Sequence, residues 1–398
     1  MIYIRADGNT EIGMGHVMRC LAVAEVAADL DPADPPVFIT ADEGCRTMIE
    51  DRGFHVVVLN TDYRDMMGEL SVIEQVLREA GNLAGTVLLV DSYQAGREYY
   101  LALRKFAKIA CFEDMGQTYP VDLLINYNLY APALEGQYTK RKTDQHSESG
   151  TKGQYPEKIL LGAEYMPLRK TFQEEAGYEV RDKVTDVIIT TGGSDPCFAA
   201  GTFADALYRD AIIAEQSIHL HIVSGPFNRY ADELKRRYQC NIIQEWQDHN
   251  IARSENSKVP ITIHENVKDM RSLLLQSDVV ITATGSTIYE VSSLGVPMIV
   301  FYFAENQRQG AEALGTLTDI VNAGCFATAP DAVAARVRET LKRCIINREY
   351  RELLYRQERA LIDGKGAHRI AEHLMAVSGT GSKKMQQRMS VSESGSGK

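Results

Sequence analysis

Long hydrophobic runs are missing from this sequence of 398 residues, and without roughly 18 apolar residues in a row no membrane-spanning helix is expected. A basic excess is missing as well, because the formal net charge is −11, which argues against a general binder of nucleic acids or membrane surfaces. The chain opens with one short strand followed directly by charged residues, which is unlike a signal peptide. The sequence therefore predicts a cytoplasmic protein with no nucleic-acid or membrane partner.

Cysteine motifs and metal-binding motifs are also scarce. The seven cysteines are odd in number and form no C-x-x-C, so neither a disulfide framework nor a zinc site is expected. His219 and His221 share one strand face, so a metal-binding pair is one interpretation. Because no third ligand lies near them in the sequence, polar-face residues are the favoured interpretation. No D-x-D pair lies beside the glycine loops. The sequence therefore predicts that no metal and no other cofactor is required.

The stretch from residue 2 to residue 24 organises the rest of the chain. A short apolar run leads into a glycine-containing polar loop, and from His16 onwards apolar residues recur at helical spacing. The pattern predicts a strand, a loop and a helix, in which Gly13 and Gly15 leave the loop backbone open to a ligand. His16 lies at the mouth of the helix and Arg19 one turn further on. The dinucleotide fingerprint G-x-G-x-x-G lacks its third glycine here, and a tight turn with a helix-capping histidine is an equally good interpretation.

Strands and helices alternate through the remainder of the chain, which predicts α/β architecture with parallel, doubly wound sheets. The run Val87–Val90 is apolar throughout, as expected for a strand buried on both faces, and Tyr93 follows its carboxyl end, where such sheets bind ligands. A second series repeats the design, with a strand leading into Gly192 and Gly193. Two domains of similar construction are therefore expected.

The expected domain boundaries follow changes in composition. An N-terminal domain over residues 1–175 carries a polar insertion at 139–157, and a C-terminal domain covers residues 184–347. A helical segment over residues 348–377 is expected to pack back on the first domain, and residues 378–398 form a polar tail that is expected to be disordered.

A second ligand site is predicted after the apolar strand at 279–282. Gly285, Ser286 and Thr287 open a helix there, and the free N–H groups of a helix N-terminus can bind a diphosphate. Glu290 lies one turn inside that helix. The alternative is a capping box, in which the hydroxyl and the carboxylate only satisfy the helix end.

Six ordered motifs together resemble one family. They are the opening stretch IRADGNTEIGMGHVMRC, VDSY from residue 90, LINYNLYA from 124, LLGAEYMPLR from 160, TTGGSD from 190 and ITATGSTIYEVSSLGVPMIVFYFAENQ from 281. In these motifs the chain resembles the UDP-sugar hydrolases of the pseudaminic acid pathway, which are related to spore-coat polysaccharide proteins. The resemblance implies a glycosyltransferase-B-like fold, with two Rossmann-like domains facing a cleft. It also implies UDP-2,4-diacetamido-2,4,6-trideoxy-β-L-altropyranose as substrate.

The resemblance also implies roles for individual residues. His16 matches the family's catalytic base, and a histidine suits that task because its unperturbed pKa is about 6.5. Glu290 matches the glutamate that binds the nucleotide ribose, and Val267 matches the backbone contact to uracil. Gly192 and Gly193, with the helix start at 285–287, would bind the diphosphate.

Sugar-side residues are implied in the same way. Tyr93 matches a site tyrosine, and Asn306 and Gln307 match a pair that faces the sugar. The loop glycines Gly13 and Gly15 and the nearby Arg19 are expected on the same side. Arg5 and Asp7 also match, although a buried structural pair is an equally good interpretation of these two residues.

Three functions remain open from the sequence. The first is a monomeric hydrolase that uses His16 to activate water for attack at the anomeric carbon with inversion. The second is an inverting UDP-sugar glycosyltransferase of the same fold, and the third is a binding protein without catalysis. The intact histidine argues against the third, because a pure binder needs no base.

Overall fold

The structure is a computed structural model that describes residues 1–9, 11–79, 81, 83–139, 155–174, 177–238, 242–243 and 259–379. Most of the polar insertion and the tail beyond residue 379 lie outside the described residues. The chain forms two compact units, one of Met1–Lys170 with the segment that begins at Gly364, and one of Thr171–Asp363. No helix in the described part of the chain is long and apolar enough to cross a membrane.

The first unit is built on a parallel sheet of seven strands. The strands are β1 (Ile2–Ala6), β2 (Val37–Thr40), β3 (His55–Val58), β4 (Val87–Asp91), β5 (Lys108–Phe112), β6 (Leu123–Asn126) and β7 (Lys158–Leu161). Their order in the sheet is β3-β2-β1-β4-β5-β6-β7. The helices are α1 (Gly15–Leu30), α2 (Arg46–Glu50), α3 (Leu70–Glu79), α4 (Arg97–Leu103), α5 (Glu135–Tyr138) and, from the end of the chain, α14 (Gly366–Ser378).

The second unit repeats this plan with another parallel sheet of seven strands. The strands are β8 (Asp186–Thr190), β9 (His219–Ser224), β10 (Ile242–Ile243), β11 (Ile261–Glu265), β12 (Val279–Ala283), β13 (Met298–Tyr302) and β14 (Asn322–Cys325). Their order is β10-β11-β9-β8-β12-β13-β14. The helices are α6 (Ala199–Tyr208), α7 (Ala211–Glu215), α8 (Ala231–Tyr238), α9 (Met270–Leu275), α10 (Thr287–Leu294), α11 (Glu305–Leu317), α12 (Pro330–Ile346) and α13 (Arg348–Leu361).

The central strands are buried on both faces, which explains their continuous apolar sequences. In the first unit, Ile4 and Leu89 belong to the hydrophobic core on one face of the sheet, and Tyr3 and Leu88 belong to the core on the other. Loops after such strands meet at the carboxyl edge of the sheet. The prediction of two doubly wound α/β units is therefore confirmed, and the glycine loops lie at the edge where a ligand site is expected.

The C-terminal segment differs from the expectation of one helical segment packing on the first domain. The helix α13 belongs to the second unit, where it packs against α10 and α12, and only α14 packs against α1 of the first unit. The two helices are separated because the chain is extended at Ile362, with φ −130° and ψ 105°, and then turns at Gly364, which has a positive φ of 79°. The first unit also ends at Lys170, a few residues before the expected boundary.

Candidate active site

His16 lies at the start of α1, directly beyond the loop that follows β1. Gly13 turns the chain with a φ of 74°, and its N–H donates to the carbonyl oxygen of Asn9 at 2.9 Å. The helix then begins at Gly15. The predicted strand, loop and helix are therefore present, and His16 is buried, with only 8% of the residue exposed.

The imidazole of His16 is held by a carboxylate from the neighbouring strand. Its Nδ1 lies 2.6 Å from Oδ1 of Asp91, the last residue of β4. Because an ionised carboxylate only accepts hydrogen bonds, this contact assigns the proton to Nδ1. In that tautomer Nε2 carries the basic lone pair. The arrangement can therefore accept a proton at Nε2 while Asp91 stabilises the imidazolium.

Asp91 is itself held by Arg19. The guanidinium donates from Nε to Oδ2 at 2.5 Å and from Nη2 to Oδ1 at 2.6 Å. Burial of this 1%-exposed group raises its pKa, but the charge and hydrogen bonds of Arg19, together with the contact from His16, outweigh burial and leave the pKa of Asp91 well below its usual range. Asp91 is therefore ionised, as a partner for an imidazolium must be.

Arg19 has two further partners, and Tyr93 shares one of them. Arg19 Nη1 donates to Asp114 at 2.9 Å and to the hydroxyl of Tyr127 at 2.7 Å. The Tyr93 hydroxyl also donates to Asp114 at 2.9 Å, and the Tyr93 ring meets the His16 ring edge to face at 4.6 Å. Since Tyr93 is 62% exposed, it is accessible to a ligand. These contacts favour a positioning role for Arg19 rather than the expected contact to substrate.

Sequence reasoning put Asp91 at the ligand-binding edge of the sheet but gave it no role, and it missed Asp114 and Tyr127 as site residues. A signal was available, because Asp91 ends β4 and Asp114 follows β5, and these strands are neighbours in the sheet. Side chains at the carboxyl ends of adjacent parallel strands lie together.

Arg5 and Asp7 are placed in the interior. Arg5 is fully buried and donates to Glu69 from Nε at 2.9 Å and from Nη2 at 2.7 Å, while its Nη1 lies 2.5 Å from Asp7. Asp7 also accepts a bond from the backbone N–H of Ala41 at 2.8 Å. These contacts favour the structural alternative for the pair over direct contact with substrate.

In the second unit, the glycine loop after β8 packs closely on the loop after β9. Gly192 has a φ of 82°, and the Phe227 N–H donates to the carbonyl oxygen of Gly193 at 3.0 Å. A Cβ atom on Gly225 would lie only 2.2 Å from the Gly192 carbonyl oxygen. The two loops therefore meet backbone to backbone at the carboxyl edge of the second sheet.

The helix α10 presents its N-terminus at the same edge. Gly285 and Ser286 are exposed, Thr287 is the first helical residue, and Glu290 lies half-buried in the first turn. Ser286, the N-cap residue, makes no side-chain capping bond, so the capping-box alternative is not formed in the described structure. The start of α10 therefore offers backbone donors for an anion, and its role in UDP binding stays a prediction.

The remaining predicted residues follow strands of the second sheet. Val267 comes after β11 and is half-buried, and Asn306 is exposed in the first turn of α11. Gln307 instead makes hydrogen bonds that fix the start of α11. Its Oε1 accepts from the Phe303 N–H at 2.9 Å, and its carbonyl oxygen accepts from the Thr284 hydroxyl at 3.1 Å. Asn306 is the more accessible of the amide pair.

The expectation that His219 and His221 have no third ligand nearby is wrong. Asp186 pairs with His219 across β8 and β9, and Nε2 of His221 lies 3.0 Å from Oδ1 of Asp186. The carboxylate comes from a strand more than 30 residues earlier in the chain, so local spacing could not show it.

The fold is of the glycosyltransferase-B type. The Acinetobacter baumannii MurG structure is similar with a TM-score of 0.63 at 12% identity, covering 94% of this chain and 99% of that one. The structure of CalG4, the calicheamicin glycosyltransferase, is similar with a TM-score of 0.54 at 14% identity. The match covers 95% of this chain and 98% of CalG4.

Sequence relatives match the group indicated by the motifs. The chain is 24% identical over 92% of its length to spore coat polysaccharide biosynthesis protein SpsG of Bacillus subtilis, covering 95% of it. It is 26% identical over 70% of its length to the UDP-2,4-diacetamido-2,4,6-trideoxy-β-L-altropyranose hydrolase of Campylobacter jejuni, covering 89% of it. The suspected resemblance is thereby confirmed.

A third relative is longer than this chain. An uncharacterized protein of Methanocaldococcus jannaschii is 24% identical over 77% of this chain, which spans only 57% of that protein. No protein-family model matches the chain.

Proposed function

We propose that the protein is an enzyme that acts on a UDP-sugar and hydrolyses it to UDP and the free sugar. The proposed substrate is UDP-2,4-diacetamido-2,4,6-trideoxy-β-L-altropyranose, which the name of the C. jejuni relative gives for that protein. The expectations of a cytoplasmic monomer without a nucleic-acid or membrane partner stay predictions.

One observation carries the proposal: the Nδ1 of His16 is bonded to a buried, ionised Asp91 at 2.6 Å. A histidine fixed in this tautomer presents Nε2 as a base, and the carboxylate stabilises the charge that proton transfer creates. A binding protein would have no use for this arrangement.

In the proposed reaction, His16 Nε2 removes a proton from water. The water oxygen forms a bond to the anomeric carbon while the bond from that carbon to the UDP oxygen breaks, and the electron pair leaves with UDP. Attack on the face opposite the leaving group inverts the configuration at that carbon. Asp91 keeps the imidazole in place and balances its positive charge, and Arg19 holds the Asp91 carboxylate in position.

The second unit would hold the nucleotide. The positive end of α10 at Ser286 and Thr287 would bind the diphosphate, whereas the Gly285 N–H already donates to the Ala283 carbonyl oxygen at 2.9 Å. Glu290, in the first turn of α10, would accept hydrogen bonds from the ribose hydroxyls. A leaving diphosphate needs charge stabilisation more than protonation. We therefore propose that turnover requires no metal.

A glycosyltransferase is the second candidate. It is favoured by the likeness in fold to CalG4, and the His16–Asp91 pair would serve equally well to deprotonate an acceptor hydroxyl. The two candidates differ only in what attacks the anomeric carbon.

The test is to incubate the purified protein with the altropyranose substrate in EDTA and follow UDP release and the first sugar product by NMR. Release of UDP with an inverted anomeric centre supports the hydrolase. Replacement of His16 by asparagine is expected to lower kcat by about 10²–10⁴-fold with UDP affinity unchanged, whereas replacement of the exposed His55 by asparagine is expected to have no effect. UDP release that needs an added acceptor would support the transferase, and an active His16→Asn variant would exclude the proposed base.

A further inference from the structure

A cluster of histidines in the second unit begins at the amino edge of the sheet, and the proposed nucleotide site is at the carboxyl edge. Asp186 is the first residue of β8, and His219 is the first residue of β9. His221 follows two residues later on the same face, and Thr262 and His264 stand on the next strand, β11. Three adjacent parallel strands therefore bring these polar side chains to one patch.

The donor atoms of three residues converge. One atom each from Asp186, His219 and His221 can be chosen so that all lie within 4.8 Å of one another. A tetrahedral zinc ion with bonds of 2.0–2.1 Å places its ligands about 3.4 Å apart. Small side-chain rotations would therefore close the group around one ion.

Both histidines have their second ring nitrogen bonded to β11. Nε2 of His219 lies 2.7 Å from the hydroxyl of Thr262, and Nδ1 of His221 lies 3.0 Å from Nε2 of His264. The other nitrogen of His221 faces Asp186. Metal-binding histidines use this arrangement, in which an outer partner fixes the tautomer and orientation of the ring.

The imidazole rings of the cluster are packed against one another. The ring centroids of His219 and His221 are 4.1 Å apart, and those of His221 and His264 are 5.2 Å apart. If Nδ1 of His221 carries the proton and donates to Nε2 of His264, Nε2 of His221 is left as the ligand atom.

We propose that Asp186, His219 and His221 bind one divalent transition-metal ion at the amino edge of the second sheet, with Thr262 and His264 orienting the two rings. Two imidazoles and one carboxylate form a donor set suited to Zn²⁺ and its neighbours in the first transition row. The ion links β8 to β9, which are not connected by a short turn. The site is separate from the residues proposed for catalysis, so it is independent of the proposed function.

The test uses the untagged full chain after dialysis against EDTA. Calorimetric titration with Zn²⁺ is expected to show one ion per chain, and Co²⁺ is expected to give visible absorption bands of a low-symmetry nitrogen and oxygen site. Replacement of His219 by alanine or of Asp186 by asparagine should weaken Zn²⁺ binding by at least about 100-fold. Replacement of the outer partner Thr262 by valine should weaken it by about 10-fold.

A matched control is the His368→Ala variant, because His368 is an exposed histidine that lies 3.7 Å from Glu372 on α14. Its Zn²⁺ affinity should equal that of the unmodified chain. Zn²⁺ should also raise the Tm of the unmodified chain and of His368→Ala, but not of His219→Ala. Should the substituted chains fail to fold, the Co²⁺ spectrum and the stoichiometry of the unmodified chain still decide. The absence of binding by that chain, or equal binding by His219→Ala, would overturn the proposal.

Discussion

His16 and Asp91 are 75 residues apart in the sequence, and their side chains meet at 2.6 Å between Nδ1 and Oδ1. The contact exists because β1 and β4 are neighbours in the first sheet, so that the helix after one strand faces the carboxyl end of the other. It turns a histidine at a helix start into an oriented base with a buried counter-charge.

Replacement of Asp91 by asparagine should lower kcat by about 10²–10⁴-fold. An amide can donate to Nδ1 and so stabilise the wrong tautomer, in which Nε2 carries the proton. UDP binding should be unchanged, and single-turnover kinetics with a UDP titration measure the two effects separately.

The control for that variant is Asp122→Asn, because Asp122 is a buried aspartate that bonds the Ile109 N–H at 2.7 Å on the same sheet. Its replacement tests for a general loss of stability. If Asp91→Asn retained full kcat, or if both variants lost it equally, Asp91 would not be the partner of a base.

Replacement of Arg5 by methionine should reduce the free energy of unfolding by about 3–5 kcal/mol, because the fully buried carboxylate of Glu69 would lose its counter-charge. Urea denaturation measures this loss. At a temperature low enough for the Arg5→Met variant to remain folded, its KM should equal that of the unmodified chain, because Arg5 is enclosed by protein groups. A raised KM with unchanged stability would instead show that Arg5 contacts substrate.

Replacement of Glu290 by glutamine should weaken UDP binding by about 10–100-fold, the effect of hydrogen bonds to a charged group worth about 1.5–3 kcal/mol. Calorimetric titration with UDP measures the change. The matched control is Glu305→Gln, because Glu305 is also in the first turn of a helix, is exposed and pairs only with Arg308 among the contacts described. Equal affinities of the two variants would contradict a ribose contact by Glu290.

Glu358 gives the protein a predicted dependence of stability on pH. Complete burial raises the pKa of this carboxyl well above its usual range, against a lowering by its bond from the Met298 N–H. The folded state therefore holds a proton that the unfolded state releases above its own pKa of about 4.3. The contribution of Glu358 to the free energy of unfolding is fully present below that pH. It is lost as the pH rises towards the pKa of Glu358 in the folded state, by at most about 1.4 kcal/mol per pH unit.

The Glu358→Gln variant should remove this slope, because glutamine resembles the protonated acid and does not titrate. Urea unfolding between pH 5 and pH 8 compares the two proteins. The same slope in both would assign the pH dependence to other groups.

The contribution of Asp91 to stability depends on pH in the opposite direction from that of Glu358. Its lowered pKa means that its contribution to stability is present above the unfolded value of about 3.9 and is lost as the pH falls below it. The Asp91→Asn variant should therefore lose less stability on acidification than the unmodified chain, as measured by thermal unfolding below pH 5.

The sequence by itself determined the elements and their order. The continuous apolar run at 87–90 is typical of a strand buried on both faces, and the alternation of such runs with helical periods favoured a parallel, doubly wound sheet. The position of His16 at a loop–helix junction was readable for the same reason, because strand, loop and helix are local structures with their own periodicity.

Only the tertiary structure decided which side chains meet. The partnership of His16 with Asp91 and the convergence of Asp186 on His219 and His221 both depend on which strands are neighbours and on their register. The structure also divided the C-terminal helices between the units, through the turn at Gly364. Contacts between residues far apart in the chain depend on the order and register of the strands in the sheet, and these are not predicted by local residue spacing.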